Sequence, residues 1–230
     1  MTAALKVLRI HLLPGPMALF WPWLILAISF FVNLAIFGLT DVPVADRQTG
    51  GIASLYGVAI FANLSLWTQV FPLAIGLSST RRSFFQGTCL YVLGQSVLAG
   101  VVLTVLHALE GATNGWGVHM RFFTPGFLEG GNPAELFLTY SVPFVCVSAL
   151  GMLMGTVFKR WGQTGMYSLS TASLLLGCGA AVLVTWRHAW GAVGRFFTDT
   201  DPLALTSGYP LVLAVALGAA AWVVLRRVTP

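Results

Sequence analysis

Long apolar runs alternate with short polar segments along the whole chain. Six of the runs have about the 20 residues that an α-helix needs to cross a bilayer, although the last is at the short end of that range. The pattern predicts an all-α integral membrane protein, with residues 1–230 forming a single transmembrane domain of six spans. The predicted spans are residues 17–39, 52–77, 89–109, 136–158, 165–186 and 209–225.

The composition agrees with this pattern. Hydrophobic residues make up 57% of the chain and charged residues 8%, with a mean hydropathy of +0.84. A soluble domain has roughly 25% charged residues. The net charge of +5 therefore indicates membrane topology and gives no reason to expect a nucleic-acid partner. Three cysteines lie in apolar runs without Cys-x-x-Cys spacing, so neither a disulfide framework nor a zinc site is indicated.

The distribution of charge predicts the orientation. Six spans place both termini on one side of the membrane. Eight of the 12 basic residues fall on that side, and all seven acids fall on the other. The positive-inside rule then predicts a multi-pass plasma-membrane protein with both termini in the cytoplasm. The eight residues are Lys6, Arg9, Arg81, Arg82, Lys159, Arg160, Arg226 and Arg227.

Three segments outside the spans have their own predicted structure. Residues 1–15 place Lys6 and Arg9 on one helical face, which favours an amphipathic helix on the membrane surface. The loop over residues 110–135 is longer than the ~12 to 15 residues usual for an unstructured connection, so we expect it to have a fold or a binding role. The aromatic segment 187–208 is a candidate re-entrant element before the short last span.

The polar stretch between the second and third spans, residues 78–88, is called the coupling segment here. Arg81 and Arg82 are followed at once by Phe84 and Phe85. Ser78 or Ser79 can cap a short helix and Gly87 can end it. The arginines can be topology markers in an ordinary loop. Alternatively, a short helix with charges on one side and aromatics on the other fits a groove in a partner protein.

Uncharged polar side chains interrupt two of the spans. Unpaired amides are costly in lipid, so these side chains either bond to other helices or line a pathway. A Gly-x-x-x-Gly pair, Gly151 and Gly155, shares a face with Ser148 and allows a close helix contact, internal or between two copies. The polar residues are Asn63, Ser65 and Gln69 in the second span and Thr164, Ser168 and Thr171 in the fifth.

Two other functions compete. His107 and Glu110 at the outer end of the third span, with His188 and His119, suggest a membrane haem or metal-binding electron-transfer subunit. A substrate-binding membrane protein that is not coupled to ATP is the other alternative. No span has a charge near its centre, which argues against a carrier coupled to protons or sodium. No Gly-x-Ser-x-Gly elbow and no phosphate loop occurs, so no enzymatic site is predicted.

The stretch from Phe71 to Thr88 resembles the second helix and coupling helix of small actinobacterial ABC exporter permeases of the type-2 class, which have the type V exporter fold. The resemblance extends to the length of the chain, its six spans, the amphipathic connecting helix before them and the re-entrant or extracellular helices before the last span. It implies that the coupling residues are Ser79, Thr80, Arg81, Arg82, Ser83, Phe84, Phe85 and Gln86.

The resemblance also implies partners. The coupling residues would enter a cleft of a separate cytoplasmic ATPase, where the arginines meet acidic groups and Phe84 or Phe85 fills the apolar floor. Lys6 and Arg9 would steady the same partner or lipid headgroups. A second permease copy, identical or paralogous, would complete the pathway for an amphipathic, lipid-like or drug-like substrate. ATP and magnesium would be bound by the partner, and no cofactor by this chain.

Overall fold

A bundle of long apolar helices forms the protein in this computed structural model, which describes residues 7–8, 15–124 and 132–228, with side chains from Phe20 onward in the first helix. Val7 and Leu8 are helical, but the rest of the predicted amphipathic segment, with Lys6 and Arg9, lies outside the described residues. No strand occurs in the described ranges. The helices are α1 Gly15–Leu39, α2 Ala53–Gly76, α3 Arg81–Ala112, α4 Pro133–Trp186, α5 Trp190–Asp199 and α6 Tyr209–Leu225.

Five helices in the described part of the chain are long and apolar enough to cross a membrane. They are α1 to α4, and α6 with the turn Ala204–Gly208 that precedes it. This agrees with the all-α membrane protein that the sequence predicts. Helix α3 extends well beyond the predicted span 89–109 at its start, because it begins directly at Arg81.

Helix α4 contains both the fourth and the fifth predicted spans. Its 54 residues would measure about 80 Å if straight, against a hydrocarbon core of about 30 Å. The helix breaks at Gly162, which has φ 63° and ψ −148°, a conformation that only glycine adopts readily. The break divides α4 into residues 133–161 and 163–186.

The helices α2, α3 and residues 133–161 of α4 contribute to two clusters of buried side chains, one around Trp67 and Phe84 and one around Leu103 and Tyr140. Tyr56 donates a hydrogen bond to the carbonyl of Tyr140 (3.1 Å), and the Asn63 amide donates to the Ser148 hydroxyl (3.2 Å). The nearly equal offsets between these partners, 84 and 85 residues, show that α2 and α4 run in the same direction. The turn at Ser78 reverses the chain between α2 and α3, and Gly100 of α3 contacts Phe137 of α4.

The Gly-x-x-x-Gly pair is an internal contact of this bundle. Gly151 lies against the backbone of Ile60, and Gly155 lies against Trp67. A β-carbon built on Gly155 would be 2.5 Å from the Trp67 Cβ. The two alternatives left open by the sequence are thereby decided, because the glycines let α4 approach α2 of the same chain.

The two ends of the bundle differ in charge. At the end where α3 begins, called the Thr80 end, lie Arg81 and Arg226, joined by a bond from Arg81 Nη1 to the Arg226 carbonyl (3.1 Å). At the opposite end, called the Glu110 end, Thr139 contacts Thr206 (3.2 Å) and Phe196 of α5 packs on Tyr209. Every acid among the described residues lies at the Glu110 end: Asp41, Asp46, Glu110, Glu135, Asp199 and Asp201.

Most side chains of residues 163–186 are exposed. From Tyr167 to Trp186 every side chain is exposed or partly exposed, including Leu174 (67%) and Leu176 (75%). An apolar helix with this exposure is stable only in lipid or against another protein surface. This segment is the strongest indication within the bundle that the chain does not function in water.

Candidate functional site

The coupling segment begins with a tight turn between α2 and α3. Ser78 has a left-handed backbone (φ 60°), and its N–H bonds the carbonyl of Ile75 (2.9 Å). Thr80 then caps α3, because its hydroxyl accepts the Ser83 N–H at 3.1 Å. The prediction of a short separate helix, capped by Ser78 or Ser79 and ended by Gly87, is wrong. Gly87 is buried within α3, and the helix continues to Ala112.

Phe84 belongs to the core of this chain. Its side chain is fully buried, and its ring makes edge contacts with Trp67 (5.1 Å between centroids) and Phe71 (5.0 Å). It is therefore not available to fill a cleft in a partner. The sequence could not show this, because the α2 aromatics that cover Phe84 become its neighbours only when α3 folds back on α2.

The rest of the coupling segment divides into anchored and exposed residues. Phe85 is partly buried and packs against Trp222 of α6 (5.1 Å), and Ser83 is buried beneath Thr80. Ser79 and Arg81 are partly exposed. The side chains open to a partner form what we call the coupling surface: Leu77, Ser78, Thr80, Arg82 and Gln86.

Leu77 was missed by the sequence interpretation. It is 60% exposed at the turn, where it adds an apolar side chain to the coupling surface. The hydropathy pattern makes it the last residue of an apolar span, and only the turn at Ser78 brings it to the surface.

The Thr80 end carries an uncompensated positive charge. Besides Arg81 and Arg82 it holds Arg227 and, near the Gly162 break, Lys159 and Arg160. The guanidinium of Arg160 stacks on Trp161, 4.4 Å from the ring centroid. No acid of the described residues lies at this end. No carboxylate among them therefore competes with an anionic partner for these basic side chains.

Removal of the Thr80 cap is expected to cost about 1 kcal/mol of stability. In Thr80→Ala the Ser83 N–H loses its side-chain acceptor. Ser78→Gly is the matched control, because glycine relieves the left-handed backbone and should keep or raise stability. Thermal unfolding followed by circular dichroism in detergent measures both. Equal midpoints for Thr80→Ala and the unsubstituted chain would contradict the capping role.

The predicted pathway residues do not share one surface. Asn63 is 1% exposed and bonds Ser148, so it joins α2 to α4, while its Oδ1 has no hydrogen-bond partner in the described part of the chain. Ser65 and Gln69 are exposed on another face of α2, because two residues along a helix turn the side chain by about 200°. Asn63 thus holds helices together, whereas Ser65 and Gln69 face outward.

Thr164, Ser168 and Thr171 form an exposed stripe on residues 163–186. Thr164 and Ser168 line an open cavity of about 420 Å³ next to Trp161. Three hydroxyl groups on one helical face would be unfavourable in contact with lipid. Their positions suit either a pathway or a contact with another subunit.

Glu110 has a structural role that the sequence did not reveal. The carboxylate is 3% exposed and accepts five hydrogen bonds from the loop that follows α3. Its Oε2 accepts from the Trp116 indole (3.2 Å) and from the N–H groups of Phe122 and Phe123 (both 2.9 Å). Its Oε1 accepts from the N–H (3.0 Å) and the hydroxyl (2.7 Å) of Thr124. The described half of the long outer loop is therefore folded around one carboxylate.

The histidines do not assemble a metal centre in the described residues, where no group of three potential ligands lies close enough to hold an ion. His107, Glu110 and His119 line one cavity of about 540 Å³. The Glu110 carboxylate already accepts five hydrogen bonds from the loop. His107 Nδ1 lies 3.1 Å from the Tyr140 hydroxyl, which donates to Phe123. His188 is exposed at the end of α4.

Comparison of the chain with known protein families, curated proteins and solved structures finds no match. Function must therefore be inferred from the residues themselves. Two features define the candidate site: a basic coupling surface at one end of an apolar bundle, and exposed polar side chains along its sides.

Proposed function

We propose that this chain is the transmembrane permease subunit of an ATP-driven ABC exporter. The observation that carries the proposal is the coupling surface. A loop that only reverses the chain needs no buried support, whereas this turn is backed by Phe84 inside the Trp67 and Phe71 cluster. A force exerted by a partner on Arg82 would therefore act on α3 and, through the packing of Phe84, on α2.

The proposal includes six spans. Residues 133–161 run from the Glu110 end to the Thr80 end, and residues 163–186 return to α5, whose Phe196 packs at the start of α6. Each part is long enough for the hydrocarbon core. The charges at the Thr80 end favour that end as cytoplasmic in the plasma membrane, with both termini on the same side.

The proposal also includes two partners. A cytoplasmic ATPase with acidic groups in a cleft would bind the coupling surface and supply the ATP and magnesium chemistry. A second permease copy, identical or paralogous, would cover exposed residues such as those of 163–186. The stripes formed by Ser65 and Gln69, and by Thr164, Ser168 and Thr171, would then face the pathway or this second copy.

Charge reversal at Arg82 tests ATPase coupling. The variants are Arg82→Glu and, for a stronger effect, the double variant Arg81→Glu with Arg82→Glu. We expect a reading frame beside that of this chain to encode an ATPase with a phosphate loop, and the two proteins to form a complex. In proteoliposomes, Arg82→Glu should reduce permease-stimulated phosphate release by about tenfold, because an attractive contact becomes a repulsive one.

Arg195→Glu is the matched control, since Arg195 is an exposed arginine on α5 at the Glu110 end. It should leave phosphate release unchanged. Arg82→Glu is preferable to Arg81→Glu alone, because Arg81 also bonds the end of α6. Unchanged stimulation in the double variant, or no association with the ATPase, would contradict the proposed function.

A further inference from the structure

An apolar groove opens at the side of the bundle between α3 and α6. Its volume is about 830 Å³, and it runs from Arg82 and Trp222 at the Thr80 end to Leu93 on α3 and to Leu211 near the start of α6. The wall is almost entirely aliphatic or aromatic. Arg82 is the only charged residue among its lining residues in the described chain, and it lies at the mouth.

The dimensions match one leaflet of a bilayer. From Arg82 to Leu93 α3 rises about 16 Å, and α6 rises the same amount between Leu211 and Trp222. Half of a hydrocarbon core of about 30 Å is about 15 Å. An acyl chain that enters beside Arg82 therefore reaches Leu93 within about the depth of one leaflet, and the groove continues along α6 to Leu211.

The charge at the mouth selects the headgroup. Arg226 and Arg227 end α6 at the same level as Arg82, and no carboxylate of the described residues lies at this end. Guanidinium groups bind phosphate strongly, with paired and directional hydrogen bonds. A zwitterionic headgroup would bring an ammonium into this positive region, whereas an anionic headgroup brings none.

We propose that this groove binds one anionic phospholipid from the leaflet on the Thr80 side, with its phosphate at Arg82 and an acyl chain between α3 and α6. The site requires only that α3 and α6 lie in a bilayer. Because the proposed ATPase would compete with the lipid phosphate for Arg82, the site is tested on the chain alone.

The test uses the full chain in nanodiscs that contain equal amounts of phosphatidylglycerol and phosphatidylcholine with identical acyl chains. After extraction into detergent, native mass spectrometry counts the lipids that stay bound. We expect one retained lipid per chain, with phosphatidylglycerol favoured about fivefold, the effect of one basic residue at an anionic surface. In Arg82→Gln the preference should fall well below that of the unsubstituted chain, while Arg195→Gln should keep it.

A second variant separates the groove from the charge. A β-carbon on Gly218 meets no atom within 4 Å, and Gly218 lines the groove, so the side chain of Gly218→Leu enters the groove and narrows it. It should reduce retention of both lipids. Gly177→Leu, equally unobstructed but on residues 163–186, should not change it.

Fluorescence locates the lipid. Phosphatidylglycerol with brominated acyl chains should quench Trp222 more than brominated phosphatidylcholine does, and Trp222→Phe should remove that difference. Equal retention of the two lipids, or unchanged retention in Gly218→Leu, would overturn the proposal. A dimer that Gly218→Leu dissociates, without bound lipid, would assign the groove to a second copy instead.

Discussion

Replacement of Glu110 by alanine is expected to lower the free energy of unfolding by about 4 kcal/mol. The substitution removes the acceptor of five hydrogen bonds, among them three backbone N–H groups of Phe122, Phe123 and Thr124. A buried donor without a partner costs about 1 to 3 kcal/mol, and some of these donors would regain water as the loop loosens. The loss should therefore be large but smaller than the full sum.

Tryptophan fluorescence during chemical unfolding in detergent measures this change, since Trp116 itself bonds Glu110. Glu110→Gln should be intermediate, because an amide oxygen still accepts while its NH₂ group faces donors. Glu135→Ala is the matched control, an exposed acid in the first turn of α4. If Glu110→Ala and Glu135→Ala unfold alike, the carboxylate does not organise the loop.

Replacement of Gly155 by leucine is expected to destabilise the bundle by about 3 kcal/mol or to prevent its folding. The first added carbon already lies 2.5 Å from the Trp67 Cβ and cannot be accommodated by rotation of a flexible side chain. The helices α2 and α4 must separate, and Trp67 then loses its place beside Phe84. Disturbance of the coupling segment should follow from a change made on a different helix.

Gly177→Leu is the control, because its added side chain enters open space on residues 163–186. Thermal unfolding and the yield of monodisperse protein in detergent compare the two variants. Protease digestion near Arg81 provides a local measure and should become faster only in Gly155→Leu. Normal stability and normal digestion of that variant would show that the close approach of α2 and α4 is dispensable.

The coupling segment shows which features the local sequence pattern predicts and which it does not. The reversal of the chain at Ser78 to Thr80 was predictable, because polar residues separate two apolar runs there. The assignment of Phe84 was not. Phe84 and Phe85 are neighbours with the same hydrophobicity, and which of them turns inward depends on the register of α3 against Trp67 and Phe71.

The polar residues within the spans follow the same logic. The cost of unpaired amides in lipid predicted that Asn63 would either bond another helix or line a pathway, and it bonds Ser148, 85 residues away in the chain. The partner itself and the outward position of Ser65 and Gln69 follow from the helix arrangement. The length of the outer loop predicted that it has a fold or a binding role. The part played by Glu110 gave no signal beyond one acid after an apolar run, because backbone N–H donors leave no trace in a sequence.

The sequence by itself determined that the chain is a helical membrane protein and that its charges are separated between the two ends. These properties depend on composition and on the length of apolar runs. The tertiary structure alone decided which side chains remain exposed at the coupling surface. It also decided that Gly151 and Gly155 contact α2 within the same chain, and that α3 and α6 enclose a groove. These features depend on distances between residues far apart in the chain, and hydropathy contains no information about such distances.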